Sequence, residues 1–259
     1  MYVLAIDPGI PPGLADSLLE EMRERGQAAV VESDRSQPNS SDVIRAHYDG
    51  TGWELAVPDE DLSLLLDELA ARADYAVLDG ITLDAWPALE IDDGTVDGEI
   101  LVEPAAPDEV AVSAAIDRLE STEPWESLES LVAAVKQSSE SDRAGAIATF
   151  TGRVRARDEP DDIPTTRLEF EAYGDVAWKR MNGIADEIRA RDGVFDVRMH
   201  HRTGVIEDGE DIVFVVILAG HRDEAFQAVE DGINRLKAEV PIFKKEVTVD
   251  EEFWVHTRP

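Results

Sequence analysis

The sequence predicts an α/β protein in two parts: a parallel α/β layer first, then a second, mixed α/β (α+β) part. Three observations carry this. Short apolar runs alternate with helical stripes through the first hundred residues. Pro104, Pro107 and Pro124 bracket a short amphipathic stretch near the middle of the chain. Charge divides unevenly about that joint: residues 1–143 hold 8 basic and 33 acidic side chains, whereas residues 144–259 hold 16 and 24. The expected division is a first domain over 1–103, a linker over 104–124 and a second domain over 125–259.

In the first part, Tyr2–Ile6 reads as an apolar strand. Leu14, Leu18 and Met22 recur at helical spacing, with Leu19 thickening the stripe and Gly26 closing the helix. Ala28–Val31 is a second strand. Leu62, Leu65, Leu66 and Leu69 form a helical face, and Tyr75–Leu78 follows as a buried strand. Strand, helix, strand in this order predicts a parallel layer.

In the second part a helix is expected near Trp125–Val135. Ala148, Phe150, Gly152 and Val154 then alternate as a strand, and Leu168, Phe170 and Ala172 alternate with Glu169, Glu171 and Tyr173 as the next. Ala177, Met181, Ile184, Ala185 and Ile188 share one helical face. The continuous run Ile212–Ala219 predicts a strand buried on both sides. Phe226, Val229, Ile233 and Leu236 mark the inner face of a last long helix, ended before Pro241.

With 57 acidic against 24 basic residues, the net charge is −33. A basic nucleic-acid-binding surface is thereby disfavoured. Asp and Glu are spread along the whole chain and arginine largely replaces lysine, which is similar to proteins of salt-loving archaea, where concentrated salt screens such self-repulsion. There is no cysteine, hence no disulfide, thiolate metal site or catalytic thiol. No apolar run is long enough to span a bilayer and no signal peptide is apparent, so a cytoplasmic location is expected.

Three of the five lysines, Lys237, Lys244 and Lys245, fall within nine residues in RLKAEVPIFKKEV. A lysine amine can titrate near neutrality when neighbouring cations depress its pKa, whereas a guanidinium cannot. Arg153, Arg155 and Arg157 stand at period two, so an extended backbone would point all three to one face. Either the nearby Asp158, Glu159, Asp161 and Asp162 neutralise them, or a bound anion does. His221 and Arg222 open the last helix, where free backbone N–H groups and the helix dipole favour an anion; an ordinary polar corner is the plain alternative. Convergent cations would suit a small anionic substrate. A zinc site built from His200, His201, His221 and His256 lacks ligand spacing, and no metal is expected. The IDPGIPPGLADSLL loop has Pro8, Leu14 and Ala15 where a phosphate-binding loop needs Gly, Lys and Ser or Thr. Nucleotide hydrolysis there is not expected.

Five ordered blocks, AGAIATFTGRVR (144–155), LEFEAY (168–173), HHRTGVIEDGE (200–210), AGHRDEAF (219–226) and RLKAEVPIFKKE (235–246), together with Trp254, carry a resemblance. From about Trp125 to the end the chain resembles the large, catalytic subunit of the molybdopterin synthase family. The first part resembles a degenerate member of the molybdopterin-guanine-dinucleotide adapter family, through its strand–loop–helix opening and YAVLDGITLDAWPALEI (75–91). The first resemblance implies an α/β hammerhead-type domain and a sulfur transfer. A small ubiquitin-like partner brings sulfur as a C-terminal Gly-Gly thiocarboxylate, and cyclic pyranopterin monophosphate receives it to form the dithiolene of molybdopterin. It also implies a homodimer within a heterotetramer, and no cofactor is expected. Lys237 matches the family's essential lysine and Lys244 its second active-site lysine. Arg155 and Arg153 match the pocket arginine and the residue leading to it. His221 and Arg222 match the His-Arg pair, and Lys245 and Glu246 the positions completing the substrate pocket. The competing expectation is a non-catalytic adapter that binds pterin and recruits maturation partners. The lack of cysteine agrees independently with an external sulfur donor, because this chain cannot carry a persulfide.

Overall fold

The computed structural model describes residues 1–6, 12–32, 45–48, 53–56, 62–79, 81, 88–89, 100–102, 111–249 and 252–255. Pro8, Pro104, Pro107, His256 and residues 80, 82–87, 90 and 91 of the 75–91 block lie outside them. The chain divides into two compact units, Met1–Glu126 and Ser127–Pro259.

The first unit runs β1 (Tyr2–Ile6), α1 (Pro12–Arg25), β2 (Ala28–Glu32), β3 (Arg45–Tyr48), β4 (Trp53–Ala56), α2 (Leu62–Ala70), β5 (Tyr75–Asp79), β6 (Ala88–Leu89), β7 (Ile100–Val102) and α3 (Val112–Leu119). Five strands form a sheet in the order β2-β5-β1-β6-β7, and every pairing is parallel. The parallel layer expected from strand–helix alternation is present. β3 and β4 make a separate antiparallel pair.

Parallel sheets need cover on both faces, and alternating residues of β1 supply it here. Leu4 and Ile6 pack with Leu18 and Met22 of α1 and Ile116 and Leu119 of α3. Val3 and Ala5 pack with Leu66 and Ala70 of α2. Within the span read as linker, α3 thus fills the first unit's core. Arg25 ties α1 to α3 through Asp117 at 2.7 Å and the Ser113 hydroxyl at 2.8 Å. The Tyr75 hydroxyl donates to Glu120 at 2.6 Å; burial, then that carboxylate, push its pKa up to about 12. Trp125 also belongs to this unit, its indole N–H donating to Asp67 at 2.7 Å.

The second unit runs α4 (Leu128–Lys136), a 3₁₀ turn (Ser141–Arg143), β8 (Ala146–Arg153), β9 (Thr165–Ala172), α5 (Gly174–Arg189), β10 (Val194–His201), β11 (Gly204–Glu207), β12 (Asp211–Ala219), α6 (Arg222–Glu239), β13 (Ile242–Thr248) and β14 (Glu252–Val255). The helix expected near Trp125 starts at Leu128, because Ser127 caps it: its hydroxyl accepts from the Ser130 amide and the Ser130 hydroxyl accepts from the Ser127 amide. Two antiparallel sheets form, β10-β12-β8 and β11-β9-β13-β14.

Every residue from Ile212 to Ala219 is buried, as the apolar run predicts. β12 is the central strand of its sheet. Val213, Val215 and Ile217 join a core with Met181, Ile184 and Ile188 of α5 and Ala228, Ile233 and Leu236 of α6. Phe214, Val216 and Leu218 meet Leu131 and Val135 of α4 on the other face. Layered helices, not parallel pairing, bury both sides.

Two residues depart from the expected pattern, and one is Leu65, 44% exposed on α2. The other, Phe226, is 62% exposed, and α6 turns Ala225, Ala228, Gly232, Ile233 and Leu236 inward. Small residues allow close helix–sheet approach: a Cβ at Gly232 would stand 3.0 Å from Val215 Cγ1. No helix among the described residues is long and apolar enough to cross a membrane.

Candidate active site

The antiparallel register sorts the candidate cations into two groups. Ala219 of β12 pairs with Ala146 of β8 at one end of the sheet, and Asp211 pairs with Arg153 at the other. Those ends are about 24 Å apart at 3.4 Å per residue. His221 and Arg222 follow Ala219, so they occupy the first end. From there α6 runs back along β12, and its Gly232 lies over Val215. Lys237, in its last turn, is carried toward the end that holds Arg153. Fifteen residues of helix separate Arg222 from Lys237, about 22 Å at 1.5 Å per residue.

At the Arg153 end the cations differ in how they are held. Arg153 Nε lies 3.2 Å from Asp211 Oδ1, and its Nη2 donates to the Gly209 carbonyl. It pins the strand to the turn before β12. Arg155 lies beyond the strand, 73% exposed, with Nη2 2.6 Å from Asp158 Oδ1. Arg153 is the last residue of β8, and beyond it Arg155 and Arg157 stay exposed around buried Val154 and half-buried Ala156. Local carboxylates neutralise the first two of these arginines, and an exposed pair such as Arg155–Asp158 contributes little to stability.

Lys237 is exposed and has no ion pair among the described residues. Lys244 is half-buried on β13, directly opposite Phe170 of β9. Its Nζ lies 3.9 Å from Glu246 Oε2, and Glu246 Oε1 accepts from the Thr165 hydroxyl. Lys244 and Glu246 share the face of buried Phe170 and Leu168. Lys245 points to the opposite face, 2.8 Å from Glu252 and 3.3 Å from Glu169. Its hydrogen bond to Glu252 raises its pKa, the reverse of the depression expected from converging cations.

A histidine that the reading of motifs left without a role buttresses this end. The His201 ring stands edge-on to Phe170 at 4.9 Å, and His201 pairs with Val213, which itself pairs with Gly152 beside Arg153. Contact and register thus link Lys244, Phe170, His201 and Arg153. Nδ1 of His201 lies 2.7 Å from the Arg202 carbonyl, so that nitrogen carries the proton and donates. Burial drives the His201 pKa down to about 4 and that of His200, stacked on Phe214, down to about 3. Both rings are neutral near pH 7. Adjacency in the HHR block was the available signal; which ring would pack on Phe170 was not readable from it. No cluster of three or more His, Asp or Glu able to hold a metal occurs among the described residues.

At the other end His221 is the N-cap of α6, extended at φ −138° and ψ 163°, with a side chain that makes no capping bond. Arg222 is 83% exposed and lies 3.4 Å from Asp223. Within one chain the structure therefore brings Arg153, Lys244 and Glu246 toward Lys237, and leaves His221 and Arg222 remote.

Residues 121–239 match the MoaE protein family. A probable molybdopterin synthase of Haloferax volcanii is 48% identical over 265 residues, covering 100% of both chains. The chain belongs to the MoaE family. A molybdopterin synthase catalytic subunit of Pyrococcus abyssi is 38% identical over 128 residues, covering 49% of this chain and 82% of that protein. The catalytic subunit of Escherichia coli is 36% identical over 119 residues, covering 46% and 78%. Among solved structures, a molybdopterin synthase from Staphylococcus aureus gives a TM-score of 0.42 at 34% identity, covering 45% of this chain and 83% of that one. Membership of the MoaE family places the chain in molybdopterin biosynthesis as a sulfurtransferase, and favours the enzyme over the non-catalytic adapter. The Haloferax relative spans both units, whereas the MoaE match lies almost wholly in the second.

Proposed function

We propose that the second unit moves sulfur from the C-terminal thiocarboxylate of a small ubiquitin-like partner to cyclic pyranopterin monophosphate, with Lys237 as the catalytic amine. The observation that carries this is Lys237 itself, a lysine without an ion pair among the described residues in a chain with 57 carboxylates. An amine left free of carboxylates can take the negative sulfur donor and exchange protons as the carbon–sulfur bond forms. Lys244, held on the same end by Glu246 and Phe170, is the second amine. Arg155, whose partner Asp158 is a solvent-exposed neighbour, exchanges that carboxylate for the substrate phosphate. Each new carbon–sulfur bond replaces a carbon–oxygen bond of the substrate, one oxygen leaving with the opened cyclic phosphate and the other as water. Water cleaves each acyl–sulfur bond to return the partner's tail as a carboxylate.

Because one α6 holds His221 and Arg222 about 22 Å from its own Lys237, this reading takes the His-Arg pair from a second copy. That agrees with a homodimer carrying one small partner per catalytic end. Lys245 and Glu246 complete the set in this reading, Glu246 by orienting Lys244.

For the first unit the reading is a degenerate adapter domain with a P-loop-like layer. Its support is the parallel sheet in which β1 leads into α1, with Leu14 and Ala15 where a working loop needs Lys and a hydroxyl. The role that follows is partner recruitment, without nucleotide hydrolysis.

The test is product formation from thiocarboxylated partner and cyclic pyranopterin monophosphate. Lys237→Ala should lower turnover by roughly 10²-fold or more, the range of a lost acid–base group, with an unchanged circular dichroism spectrum. Turnover near that of the unaltered protein sinks the assignment.

A further inference from the structure

Lys136 is one of five lysines and the one in this unit's first helix. Together with Ser141, Ala144, Gly145, Ala146, Ile147 and Leu218 it lines an open groove of about 510 Å³. Neither the Lys136 ammonium nor the Ser141 hydroxyl has a partner among the described residues. Gly145, which lines the groove, has no room for a side chain. A Cβ at Gly145 would stand 2.6 Å from the Gly220 carbonyl oxygen, and the Gly145 amide donates to Ala219 at 3.1 Å. Gly220 is the residue before His221. The groove therefore abuts the corner from which His221 and Arg222 project, at the sheet end remote from Lys237.

We propose that this groove is an anion subsite that extends the His221–Arg222 corner, with Lys136 and the Ser141 hydroxyl of the copy that supplies this corner gripping the substrate phosphate together with Arg155 of the other copy. The inference rests on the pterin reading above and adds a residue to it. A phosphate needs a cation and hydrogen-bond donors presented together. Lys136 offers the charge and Ser141 a free donor, and both line the same groove. A lysine in the last turn of a helix is also favourable through the helix dipole alone. The discriminating measurement must therefore read ligand binding, which the dipole does not touch.

The experiment is steady-state kinetics of the assembled enzyme at one fixed salt concentration, with Lys136→Ala, Lys136→Arg and Ser141→Ala, each with inorganic phosphate as a competing probe. Lost ground-state binding raises KM and leaves kcat alone. Lys136→Ala should raise KM for cyclic pyranopterin monophosphate about tenfold with kcat within about twofold, and should weaken phosphate inhibition by the same factor. Lys136→Arg should retain most of the affinity, and Ser141→Ala should show the same effect as Lys136→Ala in smaller measure. A KM unchanged in Lys136→Ala overturns the proposal. Weakened phosphate inhibition with an unchanged KM also overturns it, since the groove would then hold free phosphate only. Full turnover in Lys237→Ala would instead defeat the catalytic reading, and the KM comparison separates the two failures.

Discussion

Arg222 and Lys237 begin and nearly end the same helix, about 22 Å apart along its axis. Helix α6 packs along β12 and cannot bend to bring them together, since Gly232 is pressed against Val215 at its middle. One substrate the size of a pterin cannot touch both in a single chain.

Mixing two inactive variants tests this arrangement. Lys237→Ala and Arg222→Ala, exchanged into common dimers, each supply what the other lacks at one of the two sites. Random exchange makes half the dimers mixed, each with one intact site, so about a quarter of full activity should return. No recovery after verified exchange would return every site residue to a single chain.

Lys244 and Lys245 are neighbours in sequence and occupy opposite faces of β13. Lys244→Ala should cost roughly 10²-fold in turnover. Lys245→Ala removes the pairs of a half-buried amine with Glu252 and Glu169 on the opposite face from Lys244. Its kcat should stay within about threefold, with the loss appearing in KM, as expected of a group that binds substrate and takes no part in the chemistry. Equal losses in both variants would place the Lys245 amine in the chemistry after all.

His201 and His200 make stability depend on pH. Burial lowers their pKa from 6.5 to about 4 and about 3, so the unfolded chain binds protons first as pH falls. The stability of the neutral rings is fully present above about pH 6.5 and is lost as pH drops toward 4. The slope is up to about 1.4 kcal/mol per pH unit for each ring. Urea midpoints measured from pH 7 to pH 4.5 should fall, and His201→Phe should flatten the curve. A variant with the same slope would exclude His201 as the source.

A net charge of −33 should make the fold depend on salt, because added ions screen repulsion among exposed carboxylates. The thermal midpoint should rise steadily between dilute buffer and molar potassium chloride. A midpoint indifferent to salt would show that local pairs such as Arg25–Asp117 already absorb the repulsion.

Several elements were legible from the chain alone because their periodicity answers to one nearby layer. β1, β5 and β12 read as buried strands, and Ala177, Met181, Ile184, Ala185 and Ile188 all proved buried on α5. Phe226 misled, since helical spacing cannot tell which edge of a stripe meets the sheet. Small residues at 225, 228 and 232 won the contact by allowing closer approach. The arginine series was legible only in part: Arg153, Arg155 and Arg157 are exposed around buried Val154, but that Asp211 and the Gly209 turn capture Arg153 was not readable from spacing.

Residue types alone gave the concentration of cations toward the C-terminal end and the lack of any thiol, while sulfur transfer came from the resemblance that the five ordered blocks carry. The first two are properties of composition and need no partner in space. Which cations meet was decided only by tertiary structure. An antiparallel strand and a rigid returning helix set distances between residues far apart in the chain, and in doing so they hold His221 and Arg222 away from Lys237 of the same chain.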